Sequence, residues 1–274
     1  MKEFPFTDTD FQKVSEKVYS ACGIVLGPHK REMVYSRLAR RIRANGLSNF
    51  EDYLAFLDSS SEQEFSHFIN AITTNLTSFF RESHHFDYLK NKLIPKIKED
   101  NRHSRRVRVW SAGCSTGEEP YSIAMTVAGE FPSDWDVKVL ATDLDSNVLQ
   151  KASQGIYSSQ SVTGLDDGHL RKWFLKSSDG SQYRVKDQLK NLIFFKRLNL
   201  LEPWPMRGPF DLIFCRNVLI YFDKETKDTL FDGYHRMLEP THGHLFIGHS
   251  ETMSKERSDF KNLGKTMYKR IDAA

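Results

Sequence analysis

The sequence predicts an α/β protein in which an all-helical segment precedes a parallel sheet. Three observations predict it: apolar residues at helical spacing near the start of the chain, short β-branched runs alternating with helical patterns after residue 106, and small or acidic turns where the first two runs end. The 274 residues can bury a substantial core and suffice for one large domain or two smaller ones.

The helical part comes first. Phe11, Val14 and Val18 recur at helical spacing, as do Val34, Leu38 and Ile42, so each set lines one buried face. Ser48 with Glu51, and Ser61 with Glu64, have the spacing of capping boxes ahead of apolar-periodic segments. At least four short helices follow, ending in a connecting helix over 83–97 and a polar linker, Glu99–Arg106. The alternating part then offers strands at Val107–Ser111, Val137–Thr142, Leu192–Phe195, Phe210–Cys215, Gly243–Ile247 and Thr266–Ile271. Helices are expected at Glu119–Glu130, around Val148–Gly155 and at Lys224–Leu238, giving a sheet of about six or seven strands. Tyr157–Arg184 breaks the alternation and reads as an insertion around a short amphipathic piece, Leu170–Phe174. The expected domains are 1–92, helical with its linker helix, and 93–274, with the insertion over about 157–190.

Composition narrows the function. With 39% hydrophobic and 27% charged residues the chain reads as folded and water-soluble. Its longest apolar run, Asp211–Phe222, is broken by Arg216 and Asn217 and falls short of the roughly 20 residues that span a bilayer. Met1–Phe6 leads straight into polar residues, so no export signal is expected and the expected location is cytoplasmic. Cys22, Cys114 and Cys215 form no Cys-x-x-Cys pair, which argues against a zinc knuckle or a disulfide framework. A net charge of +3 implies no nucleic-acid partner by itself.

In an open parallel sheet, ligands sit at the carboxyl ends of the strands. The first strand runs into Ser111-Ala112-Gly113-Cys114-Ser115-Thr116-Gly117-Glu118-Glu119-Pro120, a small-residue loop that opens a helix. The second ends in Thr142-Asp143-Leu144-Asp145, an acid placed to accept both hydroxyls of a ribose. An adenosine-containing ligand is expected. The loop lacks Gly-x-Gly-x-x-Gly, and Glu118–Glu119 would repel a pyrophosphate at the helix N-terminus, whereas carboxylates suit the sulfonium and ammonium of S-adenosylmethionine.

Asn75-x-Thr77-x-x-x-Arg81-Glu82, Trp110-Ser111-Ala112, Ser115-Thr116-Gly117-Glu118-Glu119-Pro120-Tyr121-Ser122 and Phe214-Cys215-Arg216-Asn217-Val218-Leu219-Ile220-Tyr221-Phe222 together resemble the chemotaxis receptor methyltransferases of the CheR type. The resemblance covers nearly the whole chain. It implies a Rossmann-like S-adenosylmethionine-dependent methyltransferase domain, an N-terminal all-helical domain and a small β-subdomain in the insertion. It implies methyl transfer from S-adenosylmethionine to receptor glutamates, with S-adenosylhomocysteine as product. It assigns cofactor contacts to Asn75, Thr77, Arg81, Glu119, Asp143, Asn199, Leu200, Arg216 and Asn217, and makes Arg81 and Tyr221 the catalytic candidates. Gly113-Cys114 departs from members that carry alanines there. In some members the subdomain binds a receptor C-terminal tail; here the connection Lys176–Gln182 is compact and polar, leaving little surface to clasp a peptide.

The partners expected are the cytoplasmic helical domains of membrane chemoreceptors, met by a monomer that inserts into no membrane and binds no nucleic acid. Lys30, Arg31, Arg37, Arg40, Arg41 and Arg43 surround the Val34–Leu38–Ile42 stripe and offer either a docking surface for acidic receptor helices or an ordinary solvated face. No metal is expected: His235, His242, His244 and His249 cluster in sequence, yet none has a His-x-x-x-His partner, and a carboxylate nucleophile needs no Lewis acid. The rival reading is a nucleic-acid methyltransferase, against which stands the lack of a Pro-Pro-Tyr or Pro-Pro-Phe motif at Cys215-Arg216-Asn217-Val218.

Overall fold

The computed structural model describes residues 2–59 and 62–272. The chain forms two compact units, one built from the segment up to Thr74 together with Tyr221–Lys227, the other from Asn75–Ile220 and the segment from Asp228 onward.

The first unit holds α1 (Asp8–Cys22), α2 (Arg31–Ala44), α3 (Phe50–Ser59) and α4 (Glu62–Ile72). Helix α1 starts at a reciprocal box, Thr7 Oγ1 accepting from Asp10 N at 3.1 Å while the Asp10 carboxylate accepts from Thr7 N at 2.8 Å. Val14, Val18, Val34, Leu38 and Ile42 are fully buried. Phe11 is only half-buried. The cap of α3 falls one residue later than expected. Asn49, not Ser48, accepts from Asp52 N at 2.7 Å, because Phe50 is the first helical residue and must bury its ring. The Ser61 cap expected for α4 lies outside the described residues.

The second unit opens with α5 (His84–Tyr88), a single π turn at Leu89–Leu93, and α6 (Ile94–Asp100). The expectation assigned this segment up to residue 92 to the helical domain. The structure moves the division to Thr74 and Asn75, since Phe86, Leu89, Leu93, Ile94 and Ile97 belong to the core that contains Val107, Val109, Phe214 and Phe246. Apolar burial rather than helical content decides the boundary.

The alternating part runs β1 (Arg106–Ala112), α7 (Glu118–Ala128), β2 (Asp136–Asp143), α8 (Ser146–Gln154), β3 (Ile156–Ser158), α9 (Asp167–Trp173), β4 (Phe174–Lys176), β5 (Gln182–Val185), α10 (Asp187–Lys190), β6 (Ile193–Arg197), β7 (Leu212–Cys215), α11 (Lys224–Met237), β8 (His244–Ile247), β9 (Phe260–Asn262) and β10 (Met267–Arg270). The main sheet has seven strands in the order β6-β2-β1-β7-β8-β10-β9. Five are parallel; β10 pairs antiparallel with β8 and β9 with β10, so the sheet is mixed where a parallel one was expected. The order reverses between β1 and β7, which opens the ligand crevice at their carboxyl ends. The insertion is a separate antiparallel sheet, β3-β5-β4, with α9 beside it. This is the α/β architecture with a helical unit and a small β-subdomain that the sequence predicts.

Candidate active site

The loop after β1 is shaped by backbone contacts with β2. Gly113 N and Cys114 N both donate to Thr142 O, at 2.8 and 2.9 Å, which turns the chain sharply. Gly117 carries a φ of 100°, and a Cβ there would lie 2.7 Å from Tyr157 Oη and 2.9 Å from Ala152 Cβ, so only glycine lets α7 start where it does.

The turn sets out a row of carboxylates. Asp143 accepts Ser115 N at 2.8 Å through one oxygen and Asp145 N at 3.0 Å through the other. A carboxylate has about four acceptor sites, so capacity remains for a hydroxyl donor. Burial pushes the Asp143 carboxyl up to about 6, against the pull of those backbone N–H groups. Asp145 caps α8 by accepting Asn147 N at 2.9 Å and takes the Asn75 amide at 2.9 Å, while Asn75 O accepts from Ser115 Oγ at 3.0 Å. Asn75 is thereby seated beside Asp143. Thr77 lies half-buried in the same segment.

A second group forms where β7 ends. Glu119 is buried; it accepts Ser111 Oγ at 2.7 Å and Arg216 Nη1 at 3.1 Å, and burial raises its carboxyl above the usual range, as it does for Glu118. The other Arg216 nitrogen donates to Arg81 O and lies 3.3 Å from Glu82 Oε2. Glu119 is therefore held by a fixed guanidinium rather than standing open to a ligand ammonium. Arg81 donates from Nη1 to Leu76 O at 3.0 Å. Asn217 takes a φ of 60°, and its N–H donates to Glu251 at 3.0 Å. Asn199 bonds Glu202 at 3.1 Å and caps the turn after β6, where Leu200 O accepts Trp204 Nε1 at 3.1 Å.

The second unit thus brings Asn75 to Asp143, and Glu119 to Arg216 and the Arg81 backbone. Tyr221 folds with the helical unit, its carbonyl accepting Val25 N at 2.8 Å, its hydroxyl donating to Thr74 O at 3.4 Å, and Lys30 Nζ lying 4.8 Å from its ring centroid. Sequence reasoning missed Glu251, whose carboxylate also accepts Ile220 N at 3.1 Å and Gly248 N. An acid just past the end of β8 was the available signal. It missed the weight of Glu82 as well, although the residue stood inside a quoted motif.

The four histidines do not converge. His242 meets Asp211 at 2.6 Å, His244 the His242 carbonyl at 2.6 Å, His235 the Ile271 carbonyl at 3.0 Å and His249 Glu82 at 2.9 Å. Among the described residues, Glu82, His84 and His85 bring three metal-type ligand atoms within 4.8 Å, but the Arg216 guanidinium beside Glu82 opposes a second cation there.

Asp143, Glu118 and Glu119 are all held by burial against ionisation, and Arg216 is the buried cation among them. The spare acceptor capacity of Asp143 suits a ligand with free hydroxyls, and carboxyl groups at the start of α7 leave no favourable place for a pyrophosphate, which fits S-adenosylmethionine. Comparison with known proteins agrees. Residues 75–269 match the family described as CheR methyltransferase, SAM binding domain, and residues 9–73 its all-alpha domain. The chain is 44% identical over 269 residues to the chemotaxis protein methyltransferase of Escherichia coli K12, covering 96% of this chain and 91% of that one. It is 42% identical over 272 residues to chemotaxis protein methyltransferase 2 of Pseudomonas aeruginosa, covering 97% and 95%. With the chemotaxis protein methyltransferase of Borreliella burgdorferi it shares 40% identity over 254 residues, covering 90% and 89%.

Proposed function

The chain belongs to the CheR methyltransferase family, and we propose that it esterifies glutamate side chains of membrane chemoreceptors on their cytoplasmic helical domains. The observation that carries this reading is identity above 40% with chemotaxis protein methyltransferases across both domains.

S-adenosylmethionine supplies an electrophilic methyl group on a sulfonium. A glutamate oxygen forms the new C–O bond as the C–S bond breaks, the electron pair leaves on sulfur, and S-adenosylhomocysteine and a methyl ester result. No proton moves, because a glutamate with an ordinary pKa of about 4.3 is already ionised near neutral pH. The chain's own residues therefore bind and orient. Asp143 accepts the ribose hydroxyls through its remaining acceptor capacity, with Asn75 beside it. Arg216 fixes the direction of Glu119 and Glu119 in turn holds Arg216, so the pair shapes the floor of the site. Asn199 and Leu200 present polar backbone to the adenine edge. Arg81 holds a carboxylate by its planar fork.

Receptor docking rests on α2 in this reading, with Arg40 as an exposed cation that makes no ion pair among the described residues. The test is incubation with labelled S-adenosylmethionine and receptor-bearing membranes. Base-labile label on the receptor supports glutamyl esterification; label that is stable to base, or found on nucleic acid, refutes it.

A further inference from the structure

Arg81 sits in an unusual backbone. Phe80 and Glu82, on either side of it, have φ of 50° and 57°, a region that non-glycine residues seldom enter and that persists only where surroundings enforce it. On one side the enforcement is plain: Phe80 N donates to Ser122 Oγ at 2.9 Å, and Ser122 Oγ donates to Glu118 O at 2.7 Å on α7. On the other side it runs through Glu82. One carboxylate oxygen accepts His249 N at 3.2 Å and faces His249 Nδ1 at 2.9 Å. The other lies 3.3 Å from Arg216 Nη2, the nitrogen that also donates to Arg81 O, and 3.6 Å from His85 Nδ1. Two strand ends and one loop thus meet on one side chain: β7 through Arg216, β8 through His249, and the segment leading into α5. Burial pushes the Glu82 carboxyl up, but Arg216 and His249 outweigh it and bring it down to about 2, so the group is ionised at every working pH.

We propose that Glu82 is a positioning residue, whose carboxylate clamps Arg216 and the start of the loop after β8 so that the 80–82 turn aims the Arg81 guanidinium. Its charge is what matters. The ionised carboxylate accepts from His249 through one oxygen and attracts the Arg216 guanidinium through the other, at ion-pair distance, whereas an amide would keep no charge for Arg216 and could turn its N–H group towards it. The Arg216 side chain, 2% exposed, has no water to turn to, so losing the charge frees the Arg81 carbonyl from its only fixed donor among the described residues. The inference rests on the role proposed above for Arg81.

Glu82→Gln in the full chain is the test, with turnover on receptor-bearing membranes measured at saturating S-adenosylmethionine and saturating receptor. Saturation separates turnover from any change in cofactor affinity transmitted through Arg216. Turnover is expected to fall about 100-fold, the loss typical of a reacting group displaced by about 1 Å. Amide hydrogen exchange over residues 79–83 should quicken while β1 and β7 keep their protection. His249→Ala, at a side chain 65% exposed, removes one arm of the clamp without uncovering a buried charge and should lower turnover by a smaller factor. Wild-type turnover in Glu82→Gln, or exchange that rises equally in the turn and the sheet, overturns the proposal. A wild-type chain that methylates no receptor refutes the proposed function instead, and the exchange comparison still decides on the clamp.

Discussion

Asp143 shows how one residue's surroundings set its chemistry. Its carboxyl is raised to about 6 because burial costs more than the backbone N–H donors return, and ribose hydroxyls would donate more strongly to the ionised form. Binding therefore favours ionised Asp143, and affinity for S-adenosylhomocysteine is expected to rise as pH rises through about 6 and then level off. Asp143→Ala should lower affinity by about 1.5–3 kcal/mol in isothermal titration and abolish the pH dependence. A flat profile for the wild type between pH 5 and 8 would remove Asp143 from the ribose site. Arg81→Lys keeps charge and loses the fork, so turnover should drop while the unfolding midpoint barely moves. Normal receptor methylation by that variant would end the role given to Arg81.

At the scale of elements, the basic character of α2 divides into unlike parts. Arg37 caps α4, its guanidinium donating to Ala71 O at 3.2 Å, Ile72 O at 2.9 Å and Thr73 O at 2.6 Å. Arg41 pairs with buried Glu64, which also takes the Tyr53 hydroxyl at 2.9 Å; Arg31 meets Asp8 and Arg43 meets Glu3. Arg40 is exposed and makes no ion pair or hydrogen bond among the described residues. Charge reversal thus separates two functions of one helix. Arg37→Glu should destabilise the helical unit, since it uncaps α4 and sets a carboxylate against carbonyls. Asn49→Ala, at the α3 cap, should cost about 0.5–2 kcal/mol in denaturant unfolding. A loss near zero there would mean that the Phe50 side of the helix start carries the cap alone.

For the whole molecule, Arg40→Glu should weaken receptor binding and leave cofactor titration unchanged, and raised salt should imitate it in the wild type. Equal methylation rates in both proteins and at high salt would return α2 to a solvated face. The insertion makes the complementary case. The β4–β5 connection is a tight polar turn, with Asp179 Oδ1 accepting Ser181 N at 3.1 Å and its carboxyl held down to about 2 by the Ser177 and Ser181 hydroxyls. Much of the turn's hydrogen bonding is thus spent within it, Ser177 and Ser181 both turning onto Asp179. Tailless receptors should be methylated as well as tailed ones, and saturable micromolar binding of an isolated tail peptide would refute this.

Periodicity by itself determined the helical stretch and most of the strands of the parallel part, because burial on one face repeats at 3.6 or 2 residues and leaves a readable stripe, as at Val34, Leu38 and Ile42 or along β1; the order of those strands in the sheet came from the structure. The acids and glycines at the ends of β1 and β2 were legible for a similar reason: turn chemistry and ligand chemistry demand particular residue types at particular places. Only the tertiary structure decided where the units divide, since the apolar faces of α5 and α6 show that they are buried but not against what. It alone revealed β9, whose Phe260-Lys261-Asn262 is too short to alternate, and the antiparallel edge that β9 and β10 form. It also gave four cations of α2 their partners, Arg37 as a cap and Arg31, Arg41 and Arg43 in ion pairs, and joined Arg216, Glu119, Glu82 and His249 across the chain. A charge's partner lies in space rather than in sequence, and its energy depends on the burial that folding creates.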